Sequence, residues 1–85
     1  MTRLWPVGEP LAAWGGGETP AGFLWQGTTH AVRAVHNRWR VHTRWWAPEG
    51  ALWREYVKLT TDTGLLCLIY RDLVSGGWFL ARIYD

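Results

Sequence analysis

Between Glu18 and Glu49 the chain has no acidic residue, yet Arg33, Arg38, Arg40, Arg44, His30, His36 and His42 all fall there. The densest part is His36-Asn-Arg-Trp-Arg-Val-His-Thr-Arg-Trp-Trp46, where Arg38, Arg40, His42 and Arg44 recur at every second position. On a β-strand that period sends all four side chains to one face at intervals of about 6–7 Å. The interval is close to the phosphate repeat of an extended single strand, and Trp46 shares the same face. Guanidinium groups can meet phosphates while an indole stacks on a base without reading its identity. The pattern therefore predicts a nucleic-acid contact made by Arg38, Arg40, His42, Arg44 and Trp46. Trp39, Val41, Thr43 and Trp45 fall on the opposite face, which is expected to be core. The same alternation also suits a solvated outer face whose charges discourage edge-to-edge pairing. A carboxylate such as Glu49 or Glu55 on an adjoining strand could neutralise it.

Other reactive residue types lack the neighbours that would put them to work. His30, His36 and His42 are spaced six apart, which separates neighbours on a strand by about 20 Å, too far for one metal ion. Cys67 lies in the most apolar run of the chain and reads as a small buried hydrophobe. Ser75, the only serine, sits in a glycine turn without the flanks of a nucleophile elbow. Nothing in the spacing of Glu55 and Asp72 requires them to act as an acid–base pair. The Gly15-Gly16-Gly17 run lacks the following Lys-Ser/Thr of a phosphate loop. Trp25, Trp45 and Pro48 are partly similar to the signature of WW modules, but the tyrosine pair between the tryptophans is missing. The residues thus point away from an enzyme and call for no cofactor or metal.

A chain of 85 residues has surface for one core only. Its eight tryptophans, three tyrosines and two phenylalanines supply large packing area, about 150–250 Å² per ring. The net charge of +2 is weak evidence for any partner. One cysteine excludes an intramolecular disulfide and fits a reducing, cytoplasmic setting. No apolar run is long enough for a signal peptide or a membrane span, so a soluble protein away from membranes is expected. Residues 1–22, rich in glycine and proline, read as an irregular N-terminal arm or strap held by apolar anchors at Leu4-Trp5 and Leu11–Trp14. Residues 23–85 read as a single β domain. Phe23–Gln26 and His30–Val35 flank a glycine turn, Arg38–Trp46 alternates, and Pro48-Glu49-Gly50 breaks it. Leu52–Thr60, Leu65–Tyr70 and Trp78–Tyr84 complete the set, with turns at Asp62-Thr63-Gly64 and Ser75-Gly76-Gly77. The expected fold is all-β: a small twisted antiparallel sheet or half-open barrel of five to six strands.

The order of these signals resembles a small bacterial family classed as a domain of unknown function. The resemblance rests on Phe23-x-Trp25-x-Gly27, Val32, Val35, Trp39, Trp45-Trp46, Glu55-Tyr56 and Tyr70-Arg71-Asp72-Leu73. It also rests on the ending Gly77-Trp78-x-Leu80-x-Arg82-x-Tyr84-Asp85. His30 and Leu66-Cys67 depart from the pattern. The resemblance implies no recognised catalytic residues and an association with bacterial error-prone DNA-repair components. Together these readings give a non-enzymatic module contacting single-stranded nucleic acid through a basic-aromatic strand face. The alternative is a protein-interaction or self-association module with a Trp-rich contact surface.

Overall fold

The computed structural model describes the backbone of residues 3–15, 19–43 and 52–84, and the side chains of residues 8–15, 19–42 and 53–84. Six antiparallel strands follow one another: β1 (Arg3–Trp14), β2 (Gly22–Trp25), β3 (Thr28–Thr43), β4 (Leu52–Thr61), β5 (Leu66–Asp72) and β6 (Trp78–Tyr84). Each pairs with its sequence neighbours, and β1 pairs with β6 to close a barrel. The described residues contain no helix, and so none long and apolar enough to cross a membrane. Short turns dictate this meander. Between β2 and β3, Gln26 and Gly27 both take positive φ, 50° and 76°, the geometry whose twist matches a two-residue hairpin.

Inward-facing residues meet across the strands in layers. Val57, Ile69 and Leu80 lie opposite one another on β4, β5 and β6, as do Leu59, Cys67 and Ile83. All six are essentially fully buried, and Leu11, Phe23 and Trp25 complete the cluster.

Three local expectations give way. Over Arg3–Trp14 the glycine- and proline-rich arm is a strand, β1, laid between β6 and β2. Weak local propensity loses here because β1 satisfies two strand edges that would otherwise present unpaired N–H and C=O groups. A register shift between Leu4 and Glu9 absorbs its irregularity. Within that shift Gly8 passes so close to β5 that a Cβ would collide with the Tyr70 hydroxyl. Second, His30–Val35 and Arg38–Thr43 are one strand, with register shifts between Val32 and Ala34 and between Val35 and Asn37. Bulges bend a strand without ending it, and the bends let β3 leave β2 and continue along β4.

The third difference concerns faces. Arg38 stands opposite Val57, Arg40 opposite Glu55 and His42 opposite Trp53, whereas Trp39 stands opposite Tyr56. Directly opposed residues share a face, so the arginines continue the inward row of Val57 and Leu59, and Trp39 and Val41 lie on the outer one. The expected assignment is reversed. The inward side tolerates these cations because β2 pairs with β3 only over Thr28–Ala31. Beyond that point the inner face of β3 runs out of the closed core.

Candidate nucleic-acid interface

From Ala34 to Thr43, β3 is bonded to β4 on one side, and among the described residues no strand pairs with its other side. This stretch holds Arg38, Arg40 and His42. Arg38 is half-buried and its Nη2 donates to Thr19 Oγ1 in the β1–β2 connection. Arg40 Nε lies 3.3 Å from Glu55 Oε2, with the arginine side chain 63% exposed and the glutamate side chain 7% exposed. The pair gives a buried carboxylate its counter-charge while most of the guanidinium stays in water. Arg71 on β5 is also opposite Glu55, so across β3, β4 and β5 three guanidinium residues share this face with one carboxylate, and Glu9 on β1 adds a second beyond Leu80. Along β3, β4 and β5 the described residues of this face thus carry more guanidinium groups than carboxylates even though Glu55 draws on Arg40. His42 stacks on Trp53, with ring centroids 5.0 Å apart and planes at 24°. Trp53 is 42% exposed, which places an indole beside the cations on the same face.

The outer face carries a second aromatic arrangement. Trp39, Tyr56, Tyr70 and Phe79 stand directly opposite one another across β3, β4, β5 and β6. Successive centroids are 5.5, 5.3 and 5.2 Å apart. Arg54 lies over Tyr70 at 4.3 Å and donates from Nη1 to Tyr56 Oη at 3.2 Å. Lys58 Nζ sits 4.9 Å from the Tyr84 ring centre. Rings packed against each other in this way present edges to solvent, and Tyr70 is buried. The row clamps four strands together rather than forming an open stacking surface. Trp39, at its end and 37% exposed, is the ring with area left for a ligand.

Several reactive groups take structural roles. Burial pushes the Cys67 thiol up to about 12, which keeps it protonated and unreactive. Glu55 is on the inner face with Arg71, whereas Asp72 pairs in register with Arg54 on the outer face. The two carboxyls are therefore separated by the sheet. Asp72 Oδ1 instead accepts the N–H groups of Val74 and Ser75, at 2.9 and 3.3 Å. Among the described residues no three His, Cys, Asp or Glu side chains are grouped to hold a metal.

The family described as Domain of unknown function (DUF6504) matches residues 4–85. The chain belongs to this family. Comparison with curated proteins and with solved structures gives no match. In this DUF6504 chain the fold brings Arg38, Arg40 and His42 onto one face, while Arg44 and Trp46 lie outside the described residues, as do Trp45 and Glu49. Sequence reasoning missed Trp53, which enters the site only through its register with His42, and it missed the Trp39–Tyr56–Tyr70–Phe79 row. The available signal was Glu55-Tyr56 and Tyr70-Arg71: in both, a charged residue adjoins a tyrosine, so the two side chains take opposite faces of the strand.

Proposed function

We propose that this domain is a non-enzymatic module that binds single-stranded nucleic acid along the uncovered length of β3. The observation that carries this reading is the coincidence, on one strand face, of Arg38 and Arg40 with the exposed His42–Trp53 stack. Arginine side chains spaced at about 6–7 Å fit successive phosphates, and Trp53 offers a ring for a base without sequence preference. Arg44 and Trp46, expected from the sequence to belong to the same contact, lie outside the described residues. A role beside error-prone DNA-repair components, implied by the family resemblance, fits a module that tracks exposed single strands. Titration with an oligothymidine at low salt, followed by tryptophan emission, tests this directly. Saturable quenching is expected, and Trp53→Ala should remove a large part of it while leaving the protein folded. An unchanged spectrum throughout the titration would defeat the reading.

A second reading is favoured by one observation, the strand edge from Ala34 onward with Val35 exposed on it. Such an edge can accept an extended segment from another chain. Sedimentation at high concentration tests the self-association branch: a dimer lost on Val35→Lys supports it, and a clean monomer counts against it.

A further inference from the structure

The outer face of β4, β5 and β6 forms a second surface, separated by the sheet from the inner face of β3. Strand β5 is apolar on both sides: Cys67 and Ile69 belong to the core, while Leu66, Leu68 and Tyr70 alternate with them on the outer face. In an antiparallel sheet with one face in water the outward positions are ordinarily polar, and a strand apolar on both sides is ordinarily covered on both. Tyr70 is covered, at 4% exposure, and β1 passes its hydroxyl at Gly8. Leu66 and Leu68 are half-buried. Among the described residues every strand belongs to the barrel itself, so no further element is laid over these two leucines.

The charges around them have one sign. Lys58 on β4 and Arg82 on β6 stand on either side of Leu68. Lys58 Nζ lies 4.9 Å and the Arg82 guanidinium carbon 5.5 Å from the centre of the same ring, that of Tyr84. The ring's quadrupole attracts each cation, yet it supplies no counter-ion. Arg54, about 13 Å from Lys58 along β4, lies over Tyr70. Among the described residues the one carboxylate on this face of β4, β5 and β6 is Asp72, opposite Arg54, and its Oδ1 already accepts two backbone N–H groups. Neither Lys58 nor Arg82 forms an ion pair or a hydrogen bond among the described residues.

The arginines are also held in place. Nε of Arg54 and Nε of Arg82 are closed off from water without a partner, and Arg54 Nη1 donates to Tyr56 Oη. A guanidinium whose root is already packed loses little freedom when a carboxylate meets its terminal nitrogens. Tyrosine and arginine around an apolar centre, with acids scarce, is the composition that protein interfaces favour.

We propose that this outer face docks a segment of another protein in which carboxylates flank apolar side chains. The apolar side chains cover Leu66, Leu68 and Phe79, and the carboxylates meet Lys58, Arg82 and Arg54. Charge complementarity selects this occupant. A second copy of the chain, docked about a two-fold axis, would set these cations against themselves. A nucleic-acid strand would neutralise them but would bring no aliphatic surface to the leucines, and the packed rings offer its bases edges rather than faces. The inference does not depend on nucleic-acid binding at β3.

The test uses the intact protein with the labelled peptide Glu-Glu-Leu-Phe-Leu-Glu-Glu, whose inner glutamates lie about 13 Å apart when extended, and a counterpart with glutamine for every glutamate. Fluorescence anisotropy at low salt should show saturable binding of the acidic peptide and none of its counterpart, with no displacement by unlabelled oligothymidine. Lys58→Gln with Arg82→Gln should weaken the acidic peptide at least about fivefold, whereas Arg38→Gln with Arg40→Gln should leave it unchanged. Lys58→Glu alone should weaken it as well, which keeps the test decisive if the Arg82 substitution unfolds the domain. Absence of binding, equal binding of the two peptides, or an affinity indifferent to the outer substitutions would overturn the proposal. So would displacement by oligothymidine, which would make this a nucleic-acid surface, or a dimer in sedimentation that Lys58→Glu abolishes, which would make it a self-contact.

Discussion

Arg40→Gln removes the guanidinium whose Nε lies 3.3 Å from the buried Glu55 carboxylate. Exposed ion pairs contribute about 0.2–1 kcal/mol, whereas stripping the partner from a fully buried charge costs about 3–5 kcal/mol. The pair is a hybrid, because its glutamate side chain is 7% exposed and its arginine 63% exposed. Arg71, opposite Glu55 on β5, also remains to soften the loss. The cost therefore falls between the two limits, at about 1–2 kcal/mol. For a domain of this size that corresponds to a Tm lower by about 5–15 °C. Urea unfolding at pH 7, read by tryptophan emission, gives the free energy, and thermal circular dichroism gives Tm. Glu55→Gln should remove most of the sensitivity, so that adding Arg40→Gln to it costs less than about 0.5 kcal/mol. A single variant within about 0.3 kcal/mol of the parent, or simple additivity of the two changes, would refute the reasoning.

Three further outcomes are expected. Gly8→Ala should destabilise the domain by about 1–3 kcal/mol, because the new methyl group meets the Tyr70 hydroxyl; chemical denaturation measures it, and a neutral result would show that β1 can move away. Trp39→Ala should cost about 0.5–1.5 kcal/mol from the lost stack on Tyr56, checked by the same method, with an equal loss in a Tyr56→Ala background counting against direct coupling. Cys67 should resist a thiol reagent in the folded protein and react on unfolding. Because burial raises its folded pKa to about 12, the unfolded chain ionises first, and this thiol's contribution to stability is complete below the ordinary thiol range. That contribution is lost as pH climbs towards about 12, a decline that Cys67→Ala should lessen in denaturation curves taken at rising pH.

Period-two alternation and turn residues made the β class legible, along with the positions of β4, β5 and β6. They could not assign β1, because glycine and proline describe local preference while the strand is held by two edges distant in sequence. Alternation also separated Arg38, Arg40 and His42 from Trp39 and Val41 correctly, but it could not say which set faces inward. Hydrophobicity suggested the tryptophan side. Register with Val57 and Glu55 decides otherwise, and it is tolerable because β3 outruns the closed part of the barrel. Trp53 and Glu55 were visible as residues, but their positions beside His42 and Arg40 depend on strand pairing.

The salt dependence of oligothymidine binding tests the central claim most directly. Each arginine–phosphate contact on a single strand contributes about −0.7 to the slope of log K against log salt. With Arg38, Arg40 and Arg44 engaged the slope should be about −2, and Arg38→Gln with Arg40→Gln should flatten it to about −0.7. A slope that these two substitutions leave unchanged, or binding indifferent to salt, would contradict a nucleic-acid interface on β3.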